Sequence, residues 1–241
     1  PGPGQYLQNF LPPGGPPYDL YSQGMRFVLK LNSAMEFEKI SMYSKDLQFS
    51  SVTDPLNNIY LYGESKGNVD MDPGPGVTLV NNTTSNKVFY IAKYDSLFNF
   101  SWVKSTQNDI ISPSTLRYGK NNSLNLVCYL IDTLGSNGFG IQQYGCNYSN
   151  GPLQYTFYIN FDTSGIAKQT INLGISTSLG ATDCVYGSAN NFYMSGRISG
   201  VTDIEAGPGI TLMSASPASS HNFFLSYYST DPYISQIRGQ A

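Results

Sequence analysis

YIAKYDS, residues 90–96, is the stretch on which the reading of this chain turns. Its first, third and fifth positions, Tyr90, Ala92 and Tyr94, are apolar, and the short oxygen-bearing pair Asp95-Ser96 closes it. Apolar residues at every second position mark a strand with one fully buried face. The Asp-Ser pair is turn chemistry, because short polar side chains bond the backbone just ahead of them. The same pattern returns as FVLKLNS (27–33), FYINFDT (157–163) and FFLSYYS (223–229), with starts 63, 67 and 66 residues apart. In each copy the second position is apolar as well, while the fourth and sixth are mostly polar. A second alternating run follows the turn, as in Phe98, Phe100 and Trp102, so each copy predicts the start of a hairpin.

Further features recur around this strand. A slide of the sequence by 133 residues lays 52–96 on 185–229 without a gap, and 14 of 45 positions are identical. They include Asn57/Asn190, Asn58/Asn191, Tyr60/Tyr193, Gly63/Gly196, Asp70/Asp203, Gly74/Gly207 and Gly76/Gly209. NNIYLYG (57–63) pairs with NNFYMSG (190–196), a decayed copy starts at Asn121-Asn122, and each predicts a turn entering a strand. An x-Gly-x-Gly segment stands at 1–4, 73–76, 137–140 and 206–209. In DMDPGPGVTL (70–79) it suggests a phosphate-cradling loop, but such a loop must lead into a helix N-terminus. Strands are expected on both sides here, so the segment reads as a turn.

The bulk composition agrees with a β-rich chain. Of 241 residues, 14% are aromatic and only 12% charged, with 19 Tyr, 24 Gly and 14 Pro. Aromatic and β-branched residues fit pleated surfaces, and Gly and Pro fill turns. Thirteen basic and sixteen acidic residues give a net charge of −3 without a basic run, which argues against a nucleic-acid or anionic-membrane partner. No stretch of about 18 apolar residues marks a membrane span. The three cysteines, Cys128, Cys146 and Cys184, lack metal spacing and permit one disulfide plus a free thiol or three buried thiols; the Asn-, Ser- and Thr-rich composition favours an exported protein, in which one disulfide is plausible.

Units of about 63–67 residues with about four strands each exceed the usual kelch and WD periods, fall short of an immunoglobulin-like array and are too long for a β-solenoid rung. The expected fold is all-β, a β-propeller or a segment of one. Residues 1–24 read as the end of a preceding repeat plus a Pro/Gly-rich loop. Residues 25–86, 87–153 and 154–219 read as three repeats, the second degenerate, and 220–241 as the start of a fourth. NNIYLYGESKGNVDMDPGPG together with FYIAKYDSLFNFSWVKS resembles the β-propeller repeats of large secreted surface proteins of Bacteroidota-type bacteria, often exported by the type IX system. The resemblance is close over 57–104 and loose over 120–175. It departs where Phe98 replaces the usual turn glycine and where the second unit loses its Asn-x-Tyr and Asp-Pro elements. It implies an extracellular or cell-surface scaffold for display, adhesion or filament assembly, without catalytic residues or cofactor. Its partners would be other segments of a larger chain, other surface proteins or glycans.

Competing chemistries find thin support. The single histidine, His221, lies in a Ser-rich loop without a nearby Cys or Asp partner, as a loop residue would. Gly-x-Ser-x-Gly, His-Glu-x-x-His and Cys-x-x-Cys are absent. A carbohydrate-binding propeller is the second reading and a propeller glycosidase the third, but no two acids stand out as a catalytic pair. Asp70 and Asp72, with Asp203 and Glu205 as equivalents, offer oxygen to calcium; the favoured reading has Asp70 and Asp203 accepting turn N–H bonds. Asp95-Ser96-Leu97 and Asp132-Thr133-Leu134 have the form of short O-glycosylation sequons, and Asn81, Asn82, Asn99, Asn121 and Asn147 each begin an Asn-x-Ser/Thr triplet.

Three structural expectations follow. Gly74, Gly76, Gly207 and Gly209 should hold left-handed backbone. Cys128 and Cys146, equidistant from Asn137, should face each other across a hairpin as a disulfide. The fourth unit lacks its later strands, so the natural chain is expected to continue in both directions, with an acidic turn before residue 1.

Overall fold

The computed structural model describes residues 26–82, 87–106, 110–131, 154–175, 179–186, 191–199, 201–203, 212–214 and 221–229. The chain is all-β there, without a helix among the described residues. Its strands are β1 (Arg26–Leu31), β2 (Phe37–Tyr43), β3 (Leu47–Thr53), β4 (Ile59–Ser65), β5 (Val69–Asp70), β6 (Leu79–Val80), β7 (Val88–Tyr94), β8 (Phe100–Ser105) and β9 (Ile110–Gly119). They continue with β10 (Ser123–Ile131), β11 (Gln154–Asp162), β12 (Ala167–Ile175), β13 (Leu179–Tyr186), β14 (Asn191–Ser199), β15 (Val201–Asp203), β16 (Leu212–Ser214) and β17 (His221–Ser229).

Among the described residues four antiparallel sheets follow one another: β1-β2, then β3-β4-β7-β8, then β9-β10-β11-β12, then β13-β14-β17. Two small ribbons, β5-β6 and β15-β16, are inserted before the third strand of the second and fourth sheets. The sheets are out of step with the sequence units. β7 and β8 open the unit at 87–153 yet pair with β3 and β4, and β11 and β12 open the next yet pair with β9 and β10.

Successive sheets share cores. Val28 and Tyr43 of the first sheet meet Leu61, Tyr90 and Tyr94 of the second. The opposite face of the second sheet, with Tyr60, Tyr62, Phe89 and Ile91, shares a core with Leu124, Leu126, Phe157 and Ile159 of the third. The other face of the third, with Val127 and Tyr158, meets Cys184, Phe192 and Met194 of the fourth. The inner strands β7 and β11 are therefore buried on both faces, which explains why the second position of YIAKYDS and FYINFDT is apolar too.

Gly63 in β4 sits opposite Phe49 of β3. A Cβ there would run into the Gln48 backbone carbonyl, so this strand glycine is fixed by close backbone approach.

One turn recurs at four hairpin tips. Asn32, Asp54, Asp95 and Asp162 each accept, on one side-chain oxygen, the backbone N–H groups two and four residues ahead, at 2.8–3.0 Å. The backbone carbonyl of each also accepts from the residue three ahead. That residue has left-handed φ in every case: Met35 at 62°, Asn57 at 60°, Phe98 at 64° and Gly165 at 77°. Phe98 therefore belongs to the turn and not to the strand that starts at Phe100. Its ring lies flat on Tyr94, with centroids 4.8 Å apart, inside the core. Packing holds a bulky residue in a conformation that costs about 1–2 kcal/mol outside glycine. The β9–β10 turn, residues 120–122, uses left-handed φ at both Asn121 and Asn122.

Two replacements in the same turn position should then act in opposite directions. Met35→Gly removes the strained conformation at a side chain that is 69% exposed, and should raise stability by about 0.5–1 kcal/mol. Phe98→Gly removes the same strain but empties a core position, and should lower stability by about 2–4 kcal/mol. Urea titration of the two variants reads both signs.

Candidate functional site

The acidic Pro-Gly stretch forms the loop between β5 and β6, and its carboxylates serve the loop itself. Asp70 Oδ1 accepts the backbone N–H of Asp72 at 3.0 Å and of Thr78 at 2.8 Å. Asp72 Oδ1 accepts the Gly74 N–H at 2.8 Å. Met71 between them is fully buried, and its carbonyl accepts the Tyr94 hydroxyl at 2.7 Å, which ties the ribbon to the second sheet. Asn82 completes the link: its N–H donates to Asn68 Oδ1 and its side-chain amide to the Ser65 carbonyl. Among the described residues no group of three His, Cys, Asp or Glu side chains is placed to hold a metal ion. The side chain of Asp203 and all of Glu205 lie outside the described residues.

The glycine expectation is corrected at the two positions that can be read. Gly74 and Gly76 do not have left-handed φ. A Cβ on Gly76 would meet Asp72 Oδ2 and one on Gly74 would stand 3.0 Å from Oδ1, both at the free end of a side chain that can swing aside. Gly207 and Gly209 lie outside the described residues.

The disulfide expectation is corrected as well. Cys128 is a free, buried thiol, and the β10–β11 register sets it opposite Phe157. Pairing runs on to Ile131 opposite Gln154, so residues 132–153 connect the strands and Cys146 falls in that connection, outside the described residues. Cys184 is also free and buried. Burial raises both thiols, that of Cys184 to about 12, so neither carries the thiolate that reacts at neutral pH.

His221 does not lie in a loop: it begins β17, paired with Ser199. The tyrosines considered for glycan stacking are largely structural, since Tyr60, Tyr90, Tyr94 and Tyr158 are fully buried. Tyr43 is buried beside Tyr94, and burial pushes its phenol up to about 12. Its hydroxyl lies beside that of Tyr94, which donates to the Met71 carbonyl, and makes no hydrogen bond of regular geometry. Of the glycosylation triplets, Asn82 is buried and bonded, and the Asn99 amide donates to Asp95 Oδ2. Asp95-Ser96-Leu97 occupies the β7–β8 tip with Leu97 exposed. Asp132-Thr133-Leu134 and Asn147 lie outside the described residues.

Polar side chains missed in the sequence reading join the sheets or brace the tips. Arg117 of β9 grips Asp183 of β13 with two N–H groups, at 2.9 and 2.8 Å, across the third and fourth sheets. Asp54 binds its own turn and also accepts from the Asn58 amide and the Tyr60 hydroxyl. The signal for Asp54 was present, because Asp54-Pro-Leu-Asn-Asn repeats the spacing of Asp95-Ser-Leu-Phe-Asn. Arg117 and Asp183, 66 positions apart, gave none.

No protein-family model matches the chain, and neither a curated protein nor a solved structure matches it.

Two outcomes are expected from this geometry. The Asp54 and Asp162 carboxyls feel burial, which works to raise them, but turn and side-chain hydrogen bonds outweigh it and hold both below the ordinary value of 3.8. Asp95 is held low by hydrogen bonds from Asn99. A folded-state pKa below the unfolded one contributes stability that is complete above the unfolded value and is lost as pH falls through the folded one. Stability should therefore be level above about pH 5 and decline below about pH 4. The triple variant Asp54→Asn, Asp95→Asn, Asp162→Asn should keep the turns, as Asn32 does, with a shallower acid decline in pH-dependent denaturation. Chelation by EDTA or addition of calcium should leave the melting temperature unmoved; a calcium-dependent rise would return Asp70 and Asp72 to the role of ligands.

Proposed function

We infer that the chain is a noncatalytic segment of a secreted or cell-surface β-propeller, serving as a scaffold for display, adhesion or filament assembly. The observation that carries this reading is where the polar side chains go. The acids and amides most ready for chemistry in the described region cap hairpin tips, brace the Pro-Gly loop or join neighbouring sheets. Consecutive antiparallel sheets stacked face to face, each built from neighbouring strands, are the arrangement that propeller blades require. The 133-residue sequence match supports a repeated unit, with β14 and β17 falling where β4 and β7 fall one shift earlier. The lectin-like alternative loses support where the tyrosines are in the core.

Protease shaving of intact producing cells tests the placement. Peptides of this chain should be released from the cell surface or found in the medium, and confinement to the cytoplasm would overturn the reading. Purified protein should also leave a panel of fluorogenic glycosides intact. Hydrolysis abolished by one Asp or Glu substitution would move the protein to the glycosidase reading.

A further inference from the structure

The recurring strand keeps one rule of register in two sheets and breaks it in another. In the second sheet, Ile59, Leu61 and Gly63 of β4 pair with Tyr94, Ala92 and Tyr90 of β7. Those partners are the fifth, third and first positions of YIAKYDS, and Leu61 lies in the core shared with the preceding sheet. In the third sheet, Leu124, Leu126 and Cys128 of β10 pair with Phe161, Ile159 and Phe157 of β11, again the fifth, third and first positions. These β10 residues also lie in the core shared with the preceding sheet. In the fourth sheet the residues of β14 in that place are Phe192, Met194 and Ile198. Their partners on β17 are Tyr228, Ser226 and Asn222. These are the sixth and fourth positions of FFLSYYS and the residue before its first.

The internal repeat locates the step. The 133-residue shift carries the pair Ile59–Tyr94 to Phe192–Tyr227, whereas Phe192 pairs with Tyr228. On the other side of β14 the shift holds, because Thr53–Ile59 becomes Tyr186–Phe192, a pair that β13 and β14 do make. The one-residue difference at Phe192 therefore arises on the β17 side. The sequence of β17 suits two registers. Register is strongly specified where only one face of a strand is apolar, and weakly where both are alike. FFLSYYS has Phe223, Leu225 and Tyr227 at one parity and Phe224 and Tyr228 at the other, with Ser226 between them. Among the described residues β17 also ends its sheet, held by β14 alone, while β7 and β11 each lie between two strands.

We propose that β17 is bistable, pairing with β14 in the described register and in the β7-like register one residue away. In the second register Phe192 stands opposite Tyr227 and Met194 opposite Leu225, as Ile59 stands opposite Tyr94 and Leu61 opposite Ala92. A slip of one residue turns a whole strand over. The step therefore exchanges Phe223, Leu225 and Tyr227 with Phe224, Ser226 and Tyr228 between the seam with the third sheet and the outer face of the fourth. One chain thus offers two outer faces of different polarity. This device is independent of the scaffold reading.

Cross-strand disulfides in the full chain test it. Ser195→Cys with Leu225→Cys spans the described register, and Ser195→Cys with Phe224→Cys spans the β7-like one. Ser195→Cys with Ser226→Cys is the control, a step of the same size in the direction that β7 does not use. All three keep the same position on β14, so the geometry of the pair is alike in each. Under mild oxidation, with linked peptides read by mass spectrometry, the first pair should close fastest and the control not at all. The second should close about 10- to 1,000-fold more slowly than the first, the range for a minor state populated at about 0.1–10%. Far-UV circular dichroism checks the fold. If Phe224→Cys unfolds the protein, saturation-transfer NMR on the β17 amides of the wild type takes its place and should show a second state in slow exchange. Four results overturn the proposal: a first pair that stays open; a second pair that stays open; a control that closes as fast as the second, which is fraying; or wild-type amides in a single state.

Discussion

Two-sided burial of the inner strands is the constraint from which the rest of the architecture follows. β7 carries Tyr90, Ala92 and Tyr94 on one face and Phe89 and Ile91 on the other, all buried. A strand of that kind cannot belong to a lone sheet with a wet face, so the second and third sheets each need a neighbour on either side. The described neighbours are the sheets that precede and follow in sequence. Polar side chains then have few places to go. They gather at the hairpin tips, in the Pro-Gly loop, or at seams such as that of Arg117 with Asp183.

The recurring tip shows how a turn tolerates an unfavourable residue. The Asx side chain and the backbone together make three hydrogen bonds around the left-handed position. That network is indifferent to what projects from it, so glycine, asparagine, methionine and phenylalanine all occupy the position. At Phe98 the residue joined the core, with Lys39 reaching over from the first sheet to its carbonyl and its ring. A turn thus doubles as a peg between two sheets.

Much of this was legible in the sequence, because period-two alternation and turn residues are local signals. The four copies of the strand beginning at Phe27, Tyr90, Phe157 and Phe223 all lie on strands, and the Asp-Ser and Asp-Thr pairs after them make the expected backbone bonds where they are described. What failed depended on partners distant in sequence. The hairpin of Cys128 was centred on Asn137 by symmetry of spacing, whereas β10 chooses its register by burying Leu124, Leu126 and Cys128 against the second sheet. Gly74 and Gly76 looked like left-handed positions, but neither has left-handed φ, and their nearest neighbour is the Asp72 carboxylate. Gly63 is glycine because of the Gln48 backbone across the sheet, a contact that composition does not announce.

The single tryptophan gives this stack a built-in reporter with a local view. Trp102 projects from β8 into the seam between the second and third sheets, close to Tyr60, and its ring rests against the Gly165 tip of the β11–β12 hairpin. Intrinsic fluorescence therefore sees that one seam. If the sheets separate in succession, emission will follow the opening of the second from the third, while circular dichroism will follow the loss of strand throughout. Two optical probes that usually agree for a small domain would then melt at different points in this protein, and the gap between them would measure how independently its layers come away.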